Sequence, residues 1–181
     1  MQKPLHRYST LAAFWHWLAA ALVIGQFTTG WLFHKVYEKG TPERADWFEW
    51  HKTLGAALIL VVLFRLLTRF FTTAPKQPER LPAWERLAGG ISHFLLYVFM
   101  VAIPLGGLMA VSDKGGMVGL KFGLAFPAVP GVTEAVADWA GDAHETYVWA
   151  FAALLGVHLL AAVYHQSRRD AAAGRMPPFK R

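Results

Sequence analysis

Residues 144–158 read HETYVWAFAALLGVH, an apolar run that sets His144 and His158 fourteen residues apart. On an ideal helix fourteen residues turn through about 1400°, roughly 40° short of four full turns, and rise about 21 Å. Both imidazoles then lie on nearly one face, at opposite depths of a span. Two further apolar runs begin near His16 and His51, so the sequence offers two candidate imidazole pairs stacked across a bilayer.

The rest of the chain suits a membrane. Its 181 residues are 55% hydrophobic with mean hydropathy +0.30, a length for one domain and a composition outside the ordinary soluble class. Leu11 to Phe33, Leu87 to Val111 and Thr146 to Gln166 each lack Asp, Glu, Lys and Arg. Each exceeds the roughly 18 to 20 apolar residues that cross a hydrocarbon core. Thr53 to Phe71 is the fourth run, interrupted by Arg65 and Arg69. An arginine at mid-bilayer costs about 2.5 to 3.5 kcal/mol on insertion scales, but these two stand in the last turns, where they snorkel. The expectation is an all-α integral membrane four-helix bundle, residues 1–181 forming one transmembrane domain with spans at about 11–33, 53–71, 87–111 and 146–166. The first run is too long for a removed secretion signal and no small-residue cleavage site follows it, so it is expected to stay in the mature protein.

With four spans both termini share one side, and charge selects it. Twelve Lys and Arg residues fall at the amino end, the Arg65 to Arg86 connection and the carboxyl end, against six on the other face. The basic face is expected in the cytoplasm, which places the protein in a bacterial inner membrane with both termini inside. A pI near 9.8 does not point to nucleic acid, because topology already accounts for these cations and no separate basic domain remains. The chain has no cysteine, which excludes thiolate-held iron–sulfur clusters, covalent haem attachment and disulfides.

Between the spans, residues 1–10 read as a short basic arm and His34 to Trp50 as a loop whose later part, ERADWFEW, can already be helical. Thr72 to Pro82, with Pro75 and Pro78, is a connector. Pro104 predicts a kink around Ile103 to Gly107. Ser112 to Ala143 is mixed, and its later half reads as a short helix at the outer interface, anchored by Trp139.

Depth along each span pairs the histidines. His16 stands about five residues into a helix entering from the cytoplasm and His158 about eight from the cytoplasmic end of the fourth, so their heights agree within roughly 5 Å. His51 and His144 both open helices at the outer face. Each pair, His16 with His158 and His51 with His144, can give two neutral imidazole nitrogens to a haem iron with no open position, which suits electron transfer better than oxygen binding. His93 stands at the height of His16 and His158, and depth alone leaves it open as a ligand. The competing reading of a single intramembrane histidine is a proton relay or a hydrogen bonder between helices. Gly55 and Gly156, near His51 and His158, offer a flat ring access to the backbone, or ordinary helix packing. Trp15, Trp17, Trp31, Trp47, Trp50, Trp139 and Trp149 fall near span ends and read as interface anchors. His6 and His34 read as solvated. His165 meets a quinone head or snorkels, and Arg65 and Arg69 meet haem propionates or lipid phosphate.

FWHW in the first run, WHKTLG opening the second, SHFLLYVFMVAIPLGGL in the third and HETYVWAFAALLGVHLLAAVYH in the fourth resemble the bacterial cytochrome b561 family. The resemblance covers nearly the whole chain, including RMPP near the carboxyl end, and is weakest from Lys114 to Asp142. It implies an inner-membrane bundle with two b-type haems, one held by His16 and His158 between the first and fourth helices, the other by His51 and His144 between the second and fourth. It implies that His93 is not a ligand. Such proteins pass electrons between the periplasmic face and the quinone pool, and the superoxide oxidase type takes an electron from superoxide and reduces ubiquinone.

For this chain the leading expectation is therefore an oxidoreductase carrying two haem b groups that oxidises superoxide outside and reduces ubiquinone. Lys52, Lys114 and Lys121 are candidate attractors of the anion. The outer face as a whole works against them, with nine acidic residues to six basic ones. Quinone is expected in the cytoplasmic half near His93, Arg65 and His165. The alternative is a cytochrome b electron-transfer subunit that accepts electrons from a periplasmic dehydrogenase or hydrogenase partner. A non-redox membrane scaffold or transporter with relay histidines is a third reading, though no inverted repeat marks a transport site. Membrane lipid is the expected surrounding of the bundle.

Overall fold

Each long apolar run becomes a helix because its ends carry stop and start signals. The computed structural model describes residues 7–73, 75–76 and 79–176, so Lys3, His6, Pro78, Pro177, Pro178, Lys180 and Arg181 lie outside the described residues. Helix α1 (Thr10–Trp31) starts where Ser9 accepts a hydrogen bond from the Ala12 N–H at 3.2 Å, and continues as a π-helical turn through Leu32–Val36. Helix α2 (Pro42–Phe71) is capped by Thr41 with Pro42 in the first turn, where its missing N–H costs nothing. Helix α3 (Ala83–Met109) follows Pro82 and runs on through Pro104. Helix α4 (Glu134–Arg168) is capped by Thr133 and ends at Arg169 in the left-handed conformation, φ 50°. All four are long and apolar enough to cross a membrane.

Two elements depart from the sequence reading. The segment before His144 is not a separate interfacial helix: α4 is continuous for 35 residues, about 52 Å, well beyond a hydrocarbon core of about 30 Å. Nothing between Thr133 and His144 can break a helix, since no proline stands there and Gly141 faces the Ala110 side chain, which a Cβ at that position would meet at 3.7 Å. As the sequence allowed, ERADWFEW is helical, since α2 begins at Pro42; His51 and His144 therefore lie inside helices instead of opening them. The other departure is a small antiparallel ribbon in an otherwise helical fold, β1 (Met117–Gly119) with β2 (Ala125–Pro127), with Val118 opposite Phe126. Its connecting turn folds back onto α2, where the Lys121 N–H donates to Thr53 Oγ1 at 3.0 Å.

The helices pack as two hairpins, α1 on α2 and α3 on α4, joined mainly through α2 against α3. The Tyr8 N–H donates to the Arg175 carbonyl at 3.1 Å, so the first and last described segments meet at one end of the bundle, here the terminal end; the ribbon marks the opposite, hairpin end. The buried core is a mid-bundle layer of Ala19, Val23, Leu58, Val62, Met100 and Phe151. Phe151 is 7% exposed, stacked on Phe27 at 6.3 Å and tilted against Phe99 at 6.2 Å. Phe151→Ala is expected to lower stability by about 2–3 kcal/mol, toward the small end for such truncations, because lipid already solvates an unfolded phenylalanine and chiefly the packing loss remains. Thermal unfolding in nanodiscs measures it. Trp15 stacks on Phe64 at 5.2 Å between α1 and α2.

Candidate cofactor site

The fourteen-residue interval of α4 recurs on every helix. His16 and Gly30 on α1, His51 and Arg65 on α2, His93 and Gly107 on α3, and His144 and His158 on α4 are each fourteen apart, so each helix turns two positions toward the interior at two levels. The hairpin-end level holds Gly30, His51, Gly107 and His144. The terminal-end level holds His16, Arg65, His93 and His158.

At the hairpin end the two imidazoles face each other with ring centres 6.1 Å apart, nearly perpendicular at 86°. His144 Nδ1 lies 2.8 Å from the Ile103 carbonyl, which can only accept, so Nδ1 carries the proton. His51 Nδ1 lies 3.1 Å from Thr29 Oγ1. The Thr29 hydroxyl donates its one proton to the Gly25 carbonyl at 2.8 Å, so it accepts from His51 Nδ1. Both Nε2 lone pairs are thereby left for a ligand. Glycine makes the room: a Cβ on Gly107 would stand 2.9 Å from the His144 ring, and one on Gly30 3.4 Å from His51. Gln26 holds the same turn of α2, its amide donating to the His51 carbonyl at 3.0 Å. A cavity of about 410 Å³ opens here between the hairpins, bounded by Gln26, Gly30, His51, Gly107, His144 and Phe151, within the range of about 300–1,000 Å³ usual for cofactor sites.

At the terminal end three imidazoles gather. His158 lies 6.5 Å from His16 and 5.6 Å from His93 between ring centres. His16 Nδ1 is buried without a hydrogen-bond partner. The Arg65 guanidinium, within electrostatic reach of all three, points its Nε at Tyr97 Oη, 3.4 Å away.

Both pairs fit a metal held between two imidazoles. With a metal–nitrogen bond of about 2 Å and each ring centre about 1.15 Å beyond its nitrogen, two rings across one metal stand about 6.3 Å apart. The 6.1 and 6.5 Å pairs match; His93 with His158 is about 0.7 Å too close. Among the described residues no group of three or more His, Cys, Asp or Glu side chains is arranged to hold a bare ion. The metal such pairs suit is one that brings its own equatorial ligands, as a porphyrin does.

The remaining expected residues are distributed unevenly. Lys52 borders the cavity mouth with its ammonium 5.2 Å from the Phe48 ring, and Lys35, not foreseen, borders it too. Lys114 is exposed on the loop before the ribbon. Lys121 is no free attractor: its ammonium bonds Asp46 and lies 3.4 Å from Glu49, and the Asp46 bond raises its pKa above the usual lysine value. His34, expected to be solvated, is exposed at the mouth and lies 3.6 Å from Glu145. His165 closes the end of α4, its Nδ1 2.7 Å from Asp170. Burial pushes the Asp170 carboxyl up, but hydrogen bonds from His165 and the Ala172 N–H outweigh it and hold the group below its ordinary range. Arg65, Arg69, Tyr8 and Tyr97 border a small cleft at the terminal end. Of the two glycines expected to admit a flat ring, Gly156 faces open space, whereas Gly55 is covered by the Gln26 amide, whose nitrogen a Cβ there would meet at 3.0 Å.

Comparison with known proteins gives a consistent picture. A family model described as prokaryotic cytochrome b561 matches residues 7–178. Cytochrome b561 homolog 2 of Escherichia coli (strain K12) is 29% identical over 160 residues, 88% of this chain and 84% of that protein. Cytochrome b561 homolog 1 of the same organism is 26% identical over 186 residues, 98% of this chain and 100% of that protein.

Proposed function

The chain belongs to the prokaryotic cytochrome b561 family and is a membrane cytochrome b, an electron-transfer protein with b-type haem; from that premise we propose that it carries two haems and moves electrons from superoxide outside the inner membrane to ubiquinone. His51 and His144 hold one haem at the hairpin end, His16 and His158 the other at the terminal end. The observation that carries this reading is the pair of ring separations, 6.1 and 6.5 Å, at two levels of one bundle.

Haem supplies reversible one-electron storage when bound, and the protein's residues do the rest. Thr29 and the Ile103 carbonyl aim the hairpin-end imidazoles. Val23, Leu58, Met100 and Phe151 keep water out of the middle of the bundle. Lys35 and Lys52 at the cavity mouth draw the superoxide anion locally, against the acidic balance of that face. Two superoxide ions each give up one electron and leave as dioxygen, and the two electrons with two protons convert ubiquinone to ubiquinol. Arg65 and His93, on the terminal-end side, border the region proposed for the quinone head, with the termini in the cytoplasm.

A second reading keeps the haems and replaces the donor: a docked periplasmic protein would deliver the electrons. It is favoured by the ribbon, where Met117, Phe122 and Leu124 expose 59%, 79% and 58% of their surface. One set of measurements separates the two. The purified protein should show a sharp reduced haem band, two irons per chain, fast reduction by superoxide alone and reoxidation by added ubiquinone. A coloured protein that superoxide does not reduce supports the docked donor, and a colourless, iron-free one overturns both.

A further inference from the structure

We propose that the ribbon is seated in the membrane: its tip, Phe122 and Leu124, lies among the lipids of the hairpin-end leaflet, at the edge of the hydrocarbon core. This seat follows from the membrane placement of the four helices, whichever donor serves the haems.

The ribbon starts outside the level of the hairpin-end imidazoles and descends through it. Its root is tied to Ser112, whose hydroxyl accepts from the Val129 N–H at 3.0 Å. Ser112 stands five residues past Gly107, roughly 6 Å outward of that level. The tip is tied to α2, where Thr53 Oγ1 accepts from the Lys121 N–H at 3.0 Å. Thr53 stands two residues past His51, about 3 Å inward of the level, and opens the uncharged run that ends at Phe64. The Lys121 side chain turns the other way. Its ammonium bonds Asp46 and lies 3.4 Å from Glu49, both outward of Thr53 on α2. A lysine whose backbone lies at an apolar boundary and whose ammonium climbs to carboxylates above it is snorkelling.

Composition agrees with that depth. Lys121 is the one charged residue between Gly115 and Thr133. Val118, Leu120 and Phe126 border the cavity, while Met117, Phe122 and Leu124 remain exposed. A two-stranded ribbon with apolar surface left open is marginal in water, and a leaflet covers it. The neighbours at this height are side chains of the membrane interface. Trp50 meets the Phe122 ring edge to face at 5.4 Å, and Trp31, one residue past Gly30, is exposed on α1.

Backbone conformation is the third observation. Phe122 and Gly123 are successive left-handed residues, φ 60° and 71°, a region that glycine enters freely and phenylalanine seldom does. Such strain persists where the surroundings favour the side chain's position. Water does not favour an outward aromatic ring, whereas the membrane interface does. The apolar surface that a docked donor would need is then already covered by lipid.

The chain has no cysteine, so a single introduced one takes a spin label at a unique position. Phe122→Cys, Leu124→Cys and Lys114→Cys are labelled in the haem-containing protein in nanodiscs, which leave both faces open to the aqueous probe. Collisions with oxygen, which concentrates in lipid, are compared with collisions with a water-soluble nickel chelate. Position 114, exposed on the loop before the ribbon, sets the aqueous limit. The expected result is a loss of nickel contact and a gain of oxygen contact at 122 and 124 relative to 114. Leu124→Cys gives the same reading if Phe122→Cys does not fold. Nickel contact at the tip equal to that at 114 would place the ribbon in water, as a docked donor requires, and would overturn the proposal.

Discussion

Replacing His158 with alanine is expected to halve the haem content of the purified protein, leaving the hairpin-end haem bound with its spectrum intact. The reason is that His144 and His158 serve different levels of one helix, about 21 Å apart along its axis, with the Phe27, Phe99 and Phe151 layer between them. His144→Ala is expected to remove the other half. His93→Ala is the informative control. Its ring lies closer to His158 than His16 does, 5.6 against 6.5 Å, so proximity alone would favour it, whereas a metal between two rings needs about 6.3 Å. The expected outcome is therefore full haem content in His93→Ala and loss of one haem in His16→Ala. Haem and iron assayed per chain decide it, and the opposite pattern would move the terminal-end ligand from α1 to α3.

What the sequence made legible was the chemistry that repeats with helical geometry. The four long apolar runs and the levels of His16, His51, His144 and His158 all follow from counting residues along 1.5 Å of rise each. The ends of the helices were less legible. Charged residues such as Glu134, Asp138 and Asp142 read as leaving the bilayer, which is a statement about solvent and not about backbone conformation; α4 simply continues beyond the membrane. The ribbon was missed because Met117–Gly119 and Ala125–Pro127 are too short to show a two-residue alternation. Lys121 looked like a free cation because its partners, Asp46 and Glu49, are distant in sequence. The glycines beside the imidazoles had a signal that went unused. The fourteen-residue interval applied to His144 and His158 also links His16 to Gly30 and His93 to Gly107, so the positions opposite each hairpin-end histidine were readable from the same count.

Gly107→Ala should be far more damaging than its size suggests. In an isolated helix the change gains about 1 kcal/mol, since alanine is the better helix former. Here the new Cβ would stand 2.9 Å from both Cε1 and Nδ1 of His144, and the ring cannot retreat without stretching its 2.8 Å hydrogen bond to the Ile103 carbonyl. That carbonyl belongs to the same helix, four residues before the substitution, so moving α3 away from the ring also withdraws the acceptor. Overpacking of this kind costs about 1–3 kcal/mol, which falls on the orientation of His144 and hence on the hairpin-end haem. A loss of roughly tenfold or more in haem retention at that level is expected, with the terminal-end haem unaffected. Gly30→Ala provides the comparison on the opposite wall. Its Cβ would meet His51 at 3.4 Å, a distance a ring held by the weaker 3.1 Å bond to Thr29 accommodates with a small shift, so helix propensity and crowding nearly offset each other. The measurement is haem dissociation from each variant to an apoprotein acceptor, followed alongside thermal unfolding. Equal effects at the two glycines would mean that the His144 ring is free to move, and with it the orientation assigned to its Nδ1–H.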